Sequence, residues 1–387
     1  MKRILFFNDS LALGGTEILL VDLLNHLVTK GCEVTLLLPR PSDKDVLLNK
    51  VSPAVSIKYL YSEKETYFRR KVGESIMIFV PRYFARRRGI NEADYDEVVC
   101  FKDTFYATVF SKMRLPKILW IHNILIKRKY EIRSVKERLS VWLNKKHIKK
   151  VQRSYDRFDT VVCVSDAAKE AYIDVLHGGC MSDQDIRVLY NAIDLSKVVE
   201  KSKEPIDNLP QGRMNFILIT RVSPEKRVDR LLNAAARLKD ERYDFHVYIM
   251  GDGMDSEGMK SEVATRGLTD FISLHGRTEN PFPYILQSKW SLCVSERESF
   301  SLVLLESMAL KTPVITTDCG GPCDIVDKGK YGILVENSTK GVYQGMKSVL
   351  DNPALSVEYS AKLSEAVARF DYKGWLARVD ELLIIDV

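Results

Sequence analysis

The chain has 387 residues, 45% of them hydrophobic and 28% charged, with 58 Lys+Arg against 52 Asp+Glu for a net charge of +6. That length exceeds one compact core and suits two domains, and the composition excludes a disordered, collagenous or disulfide-stapled chain. Seven scattered cysteines, odd in number, point to reduced thiols and a cytoplasmic setting, while MKRILFFNDS is too short an apolar stretch for a secretory leader and no apolar run approaches a membrane span.

KRILFFN reads as a short strand running into DSLALGGTE, and EILLVDLLNHLVTKG follows with Ile18, Val21, Leu24 and Leu27 at helical spacing until Gly31 stops it. CEVTLLLPR supplies the next strand. Between the first strand and the helix, Gly14-Gly15 allows the backbone close to a phosphate, and Thr16-Glu17 opens a helix whose positive end points the same way. YDEVVCFKD and KILWIHN read as further strands. His122 closes the second of them, at the carboxyl end where an open α/β sheet gathers its ligand residues. FDTVVCVSDAAKEAY adds a strand and a helix capped by Ser165 or Asp166.

Residues 61–90 and 127–157 differ in kind. The first holds FRRKVGESIMIFVPRYFARRRG, and the second carries twelve Lys or Arg against three acids, with Leu139, Trp142, Leu143 and Ile148 interleaved. A helix with one greasy and one cationic face fits either packing on its own domain or attachment to an anionic membrane surface. Nucleic-acid binding finds no motif beyond charge. Residues 1–190 hold 33 Lys+Arg against 23 Asp+Glu, so the first half is the one that would meet an anionic surface.

Residues 195–212, polar and containing Pro205 and Pro210, are predicted as a linker. In MNFILITRVSPEKRVDRLLNAAARL a strand delivers Arg221, Pro224 suits the first turn of a helix, and Lys226 follows Arg221 by five residues. Two cations at a helix start meet the electrostatic need of a departing diphosphate. FHVYIMGDG and ISLHGR are strand-and-turn units presenting Gly251, Asp252 and Arg277. SLCVSERESFSLVLLESMALKTPVITTD then reads as strand, loop, helix and strand. It places Glu298 where the chain leaves the first strand and Glu306 about two turns down the helix. Ser299, Phe300, Ser301 and Leu302 line the helix start, where orphan N–H groups favour an anion or a hydroxyl-rich ligand. FDYKGWLARVDELLII restarts as an amphipathic helix. No Asp-x-Asp or His/Cys grouping has metal-ligand spacing, and Cys319 and Cys323 lack a second pair.

The stretch ESFSLVLLESMALKTPVI, with Glu298-x7-Glu306, resembles the signature of the family-4 retaining glycosyltransferases, or glycosyl transferases group 1. The likeness extends to GGTE, WIHN, the Arg221-x4-Lys226 pair and the turns GDG and HGR. Ser301 stands where the family more often has Gly and keeps the same backbone N–H. The resemblance implies an α/β chain of GT-B architecture, two Rossmann-like domains with parallel sheets facing across a cleft. Residues 1–194 would bind the acceptor, 195–212 link, 213–370 bind the nucleotide sugar, and 371–387 form a helix crossing back. It implies sugar transfer with retention from a nucleotide diphosphate donor, UDP by default, to a glycan or lipid-linked acceptor, with neither metal nor cofactor. Glu298 would meet hydroxyls of the transferred sugar, Glu306 the ribose, and Arg221 and Lys226 the diphosphate. His122 would lie at the donor sugar, Gly14 and Gly15 beside the diphosphate, and Gly251, Asp252 and Arg277 along the base. The pattern also fits a nucleotide-sugar 2-epimerase of the same plan. A non-catalytic partner subunit would be expected to lose charged site residues, and Arg221, Lys226, Glu298 and Glu306 are all present.

Overall fold

The computed structural model describes residues 1–66, 72–74, 80–126, 151–180, 183–206 and 212–384. The basic segment predicted at 127–157 lies outside the described residues as far as 150, and so do 67–71 and 75–79 of its companion. The chain forms two units, one of residues Met1–Tyr190 with Leu376–Val387 and one of Asn191–Trp375.

The first unit is built on seven strands, β1 (Arg3–Phe7), β2 (Glu33–Leu38), β3 (Ser56–Tyr59), β4 (Glu97–Cys100), β5 (Lys117–Ile121), β6 (Thr160–Cys163) and β7 (Asp185–Val188). All pair in parallel in the order β3-β2-β1-β4-β5-β6-β7. Their near-continuous apolar runs are what a parallel sheet buried on both faces requires, and Phe6, Phe7, Phe101, Phe110 and Trp120 are fully buried. The helix Gly15–Thr29 follows β1, and its His26 Nε2 lies 2.7 Å from Asp380 in the C-terminal helix Tyr372–Leu383, whose other oxygen takes Lys30 at 3.1 Å. Ser165 is the N-cap of the helix Asp166–His177, its Oγ accepting from the Ala168 amide at 3.0 Å.

The second unit holds β8 (Met214–Ile219), β9 (Phe245–Met250), β10 (Ile272–His275), β11 (Trp290–Cys293), β12 (Val314–Thr317) and β13 (Ile333–Val335), parallel in the order β10-β9-β8-β11-β12-β13. In each unit the chain builds outward one way from its first strand and then returns to that strand's other side. The strand order therefore reverses between β1 and β4 and between β8 and β11, and an open α/β sheet binds ligands just beyond the carboxyl ends of the strands at such a point.

Two predicted elements differ. Residues 195–201 of the expected linker form the helix Leu195–Lys201, with Asp194 Oδ1 accepting from the Ser196 amide at 3.1 Å and Val198 buried against Ile217, Tyr248 and Met250. An acid at the N-cap and one buried aliphatic residue outweighed the polar composition. Pro224 does not open the long helix either. Pro224–Lys226 is a separate 3-10 turn, Arg227 takes a left-handed backbone (φ 49°, ψ 45°), and the helix Val228–Asp240 starts after it. Such a conformation is costly for a side-chain-bearing residue, and the fork of Arg227 holding both oxygens of Asp229 at 2.9 Å offsets it.

Candidate functional site

At the switch point of the second unit, β8 leads into residues 220–227 and β11 into residues 294–301. These two loops bring together a cation and an acid that lie 72 residues apart, Lys226 Nζ and Glu298 Oε2, as an ion pair whose side chains are 19% and 16% exposed. The loops are also stitched through the backbone, the Glu296 amide donating to the Glu225 carbonyl at 2.8 Å. Arg221 behaves differently. Its side chain is 66% exposed and pairs with Glu225 at 3.2 Å rather than with Glu298 or Glu306. Backbone and Ser223 hydrogen bonds, with Arg221 beside them, hold the Glu225 carboxyl below the usual range.

Glu298 is fixed by its main chain. Its amide donates to Cys319 and its carbonyl accepts from Gly321, both at 2.8 Å. A methyl on Gly321 would stand 2.0 Å from the Ser299 carbonyl oxygen, so only glycine lets the turn after β12 lie this close. The helix Leu302–Ala309 begins at once, with Ser301 as an extended N-cap whose side chain makes no cap bond. The Phe300 ring is buried, 5.8 Å from that of Phe370, so its side chain packs while its main chain continues to the helix. About one turn into that helix, burial pushes the Glu306 carboxyl up to about 7, and it takes no partner among the described residues. A half-buried acid without a described protein partner is poised to accept hydroxyls from a ligand.

The remaining turns of the second unit are laced to these. Gly251 has φ +136°, and a methyl there would stand 2.0 Å from the Thr220 carbonyl oxygen. Its amide reaches the carbonyls of His275 and Gly276 at 3.2 Å, and the Asp252 carbonyl accepts from Val222 at 3.0 Å. Arg277 is exposed.

Gly14, Gly15 and His122 belong to the first unit. Gly14 has φ −156°, backbone open to any residue, and what a methyl there would crowd is the Glu17 carboxylate. Glu17 pairs with Lys102 at 3.1 Å, so this helix start already faces an acid of its own. The His122 ring is buried against Phe101 and parallel to Trp120, and burial lowers its pKa to about 3, leaving it neutral. Its amide donates to Asp103 at 3.2 Å, and Asn123 donates to the same oxygen at 2.9 Å. Burial raises Asp103 to about 7 and also raises Asp9. Asp9 and Asp103, missed in the sequence, follow β1 and β4 within a few residues. An acid just past each of the two strands at the reversal was the available signal. Among the described residues no group of three or more His, Cys, Asp or Glu could hold a metal ion, and no helix is long and apolar enough to cross a membrane.

Two all-parallel α/β units of this kind define the GT-B class. The Anabaena HepE protein, solved with UDP and glucose, shares the fold at TM-score 0.73 with 99% of both chains covered and 18% identity. Residues 13–197 match the model of Glycosyltransferase Family 4 and residues 199–369 that of Glycosyl transferases group 1, and the chain belongs to this glycosyltransferase family. A similar protein is the N-acetylgalactosamine-N,N'-diacetylbacillosaminyl-diphospho-undecaprenol 4-alpha-N-acetylgalactosaminyltransferase of Campylobacter jejuni, 29% identical over 51% of this chain and 53% of its own. Another is the N-acetyl-alpha-D-glucosaminyl L-malate synthase of Bacillus anthracis, 27% identical over 53% and 54%. The matched stretch thus spans about half the length of either relative.

Proposed function

We propose that the protein transfers a sugar, with retention at its anomeric carbon and without a metal, from a nucleotide diphosphate donor to a glycan or lipid-linked acceptor. The observation that carries this reading is the Lys226–Glu298 contact at the second unit's switch point, beside a helix that holds Glu306, which takes no partner among the described residues. Lys226 would hold the charge that grows on the leaving phosphate, an interaction strongest in the transition state. Glu298 would accept hydroxyls of the sugar and Glu306 those of the ribose. Arg221, exposed and paired with the neighbouring Glu225, could turn to the diphosphate, where its planar fork suits phosphate oxygens. The turns at Gly251, Asp252 and Arg277 would line the base.

UDP as the donor nucleotide is supported by the complex of the Anabaena neighbour, and a lipid-linked acceptor by the name of the Campylobacter relative. The polar residues around Asp9 and Asp103 would receive the acceptor, with the departing phosphate taking its proton. Attachment to an anionic membrane, on the cytoplasmic side, would bring such an acceptor within reach. Val80 and Tyr83 are exposed at the helix Pro81–Arg87, and Arg86 and Arg87 stand exposed on it.

A thermal-shift screen against a panel of nucleotide sugars, followed by assay of nucleoside diphosphate release with and without EDTA, tests the proposal. A stabilising donor and EDTA-insensitive release are expected. No stabilisation by any donor would refute it, and conversion of donor to its epimer without an acceptor would make the protein an epimerase.

A further inference from the structure

Arg230 lies in the first turn of the helix Val228–Asp240 and is only 5% exposed, yet it makes no ion pair with any described residue. Its partners are neutral oxygens. Nη1 donates to the carbonyls of Val294 and Ser295, each at 3.3 Å, and to Oδ1 of Asn337, while Nη2 donates to the Asn337 carbonyl at 3.3 Å. A buried guanidinium without a carboxylate is expensive, and burial lowers the pKa of this one. The cost falls at the loop that carries Glu298.

Asn337 completes the arrangement from beyond the end of β13. Its Nδ2 donates to the Glu296 carbonyl at 2.9 Å and to the Asp318 carbonyl at 3.0 Å. One amide side chain, oriented by Arg230, therefore ties the exits of β11, β12 and β13 together. The segment it holds, through Glu296, is also the one whose amide meets the Glu225 carbonyl, one residue before Lys226.

We infer that Arg230 and Asn337 are positioning residues, which hold the loop after β11 so that Glu298 meets Lys226 in the geometry sugar transfer needs, without touching the donor. This rests on the proposed reading of the second unit as the donor site. Nucleotide affinity, assigned to Glu306, to the turns after β9 and β10 and to the cations Arg221 and Lys226 of the loop after β8, should then change little, whereas turnover should fall. Misplacement of a reacting group by about 1 Å can cost on the order of 100-fold in rate.

The test is Asn337→Ala and Arg230→Lys in the full chain, with three measurements on each: UDP affinity by calorimetry, kcat for donor turnover, and amide exchange of peptides covering residues 294–299. Asn337→Ala should keep UDP affinity within about twofold of the parent, lower kcat at least tenfold, and speed exchange in that segment but not in the strands. Arg230→Lys keeps the charge but not the fork and should fall between. Unchanged exchange at 294–299 overturns the inference whatever the activity. So does a kcat loss matched by lost UDP affinity or by the unfolded fraction. A parent protein that turns over no nucleotide sugar instead refutes the functional proposal, and the exchange measurement still decides the positioning role.

Discussion

Lys226 and Glu298 stand at the ends of two strands that sequence order separates and sheet order joins. With the pair mostly buried, removing the cation leaves Glu298 without its partner but takes little from the core. Lys226→Ala should therefore remain folded by circular dichroism while kcat falls roughly 100- to 1000-fold, the scale of losing one preorganised donor at developing charge. Glu306 gives a pH signature. Its carboxyl, raised by burial from the usual 4.5 to about 7, binds its proton more tightly in the folded than in the unfolded chain. That contribution makes stability fall as pH rises from about 4.5 to about 7 and level off above, and Asp103, raised to about 7, acts in the same direction. Glu306→Gln should flatten part of this slope in thermal unfolding from pH 5 to 8, raise the midpoint at pH 8 and weaken UDP binding. An unaltered slope would show that Glu306 is ionised throughout. The acids at 298 and 306 were legible because they lie in one contiguous stretch, the first in the loop after β11 and the second about one turn into the helix Leu302–Ala309. Arg230 and Asn337 were not, since 107 residues separate them and their meeting depends on which strands become neighbours.

At the scale of elements, period and apolar runs gave the strands closely. KRILFFN became Arg3–Phe7, and the strand read at the end of SLCVSERESFSLVLLESMALKTPVITTD is Val314–Thr317. Boundaries failed where a local hydrogen bond or a strained backbone overrode composition, as at the capped helix Leu195–Lys201 and at Arg227. The glycine turns also separated into kinds. Gly14 occupies ordinary extended backbone, whereas Gly251 and Gly321 each leave about the width of a hydrogen beside a carbonyl. Gly251→Ala and Gly321→Ala should each lower stability by about 1–3 kcal/mol in urea unfolding, and Gly14→Ala by much less. Equal losses at all three would mean that the turns relax more freely than their packing implies.

Over the whole molecule the proposed chemistry divides by unit. Each residue assigned to base, ribose, diphosphate or sugar hydroxyl, apart from Gly14, Gly15 and His122, lies within Asn191–Trp375. A fragment of residues 191–375 that retains secondary structure should bind UDP within about tenfold of the full chain and transfer no sugar. Loss of all affinity would move part of the nucleotide site into the first unit. The positive excess of the first half is the property the chain would use against a membrane, and Arg86→Glu with Arg87→Glu should reduce sedimentation with anionic vesicles.

The salt link between Lys226 and Glu298 also bears on how a catalytic cycle would end. While the two are paired each charge is quenched by the other, so a stray phosphate finds little field to hold it. A complete donor can replace the link at both ends, with phosphate for the lysine and hydroxyls for the glutamate. The spent nucleotide answers only the lysine, and the glutamate, deserted by its sugar, competes to reclaim that partner and eject the product. Glu298→Gln should accordingly hold UDP more tightly than the parent protein does, and turn over more slowly for that reason among others.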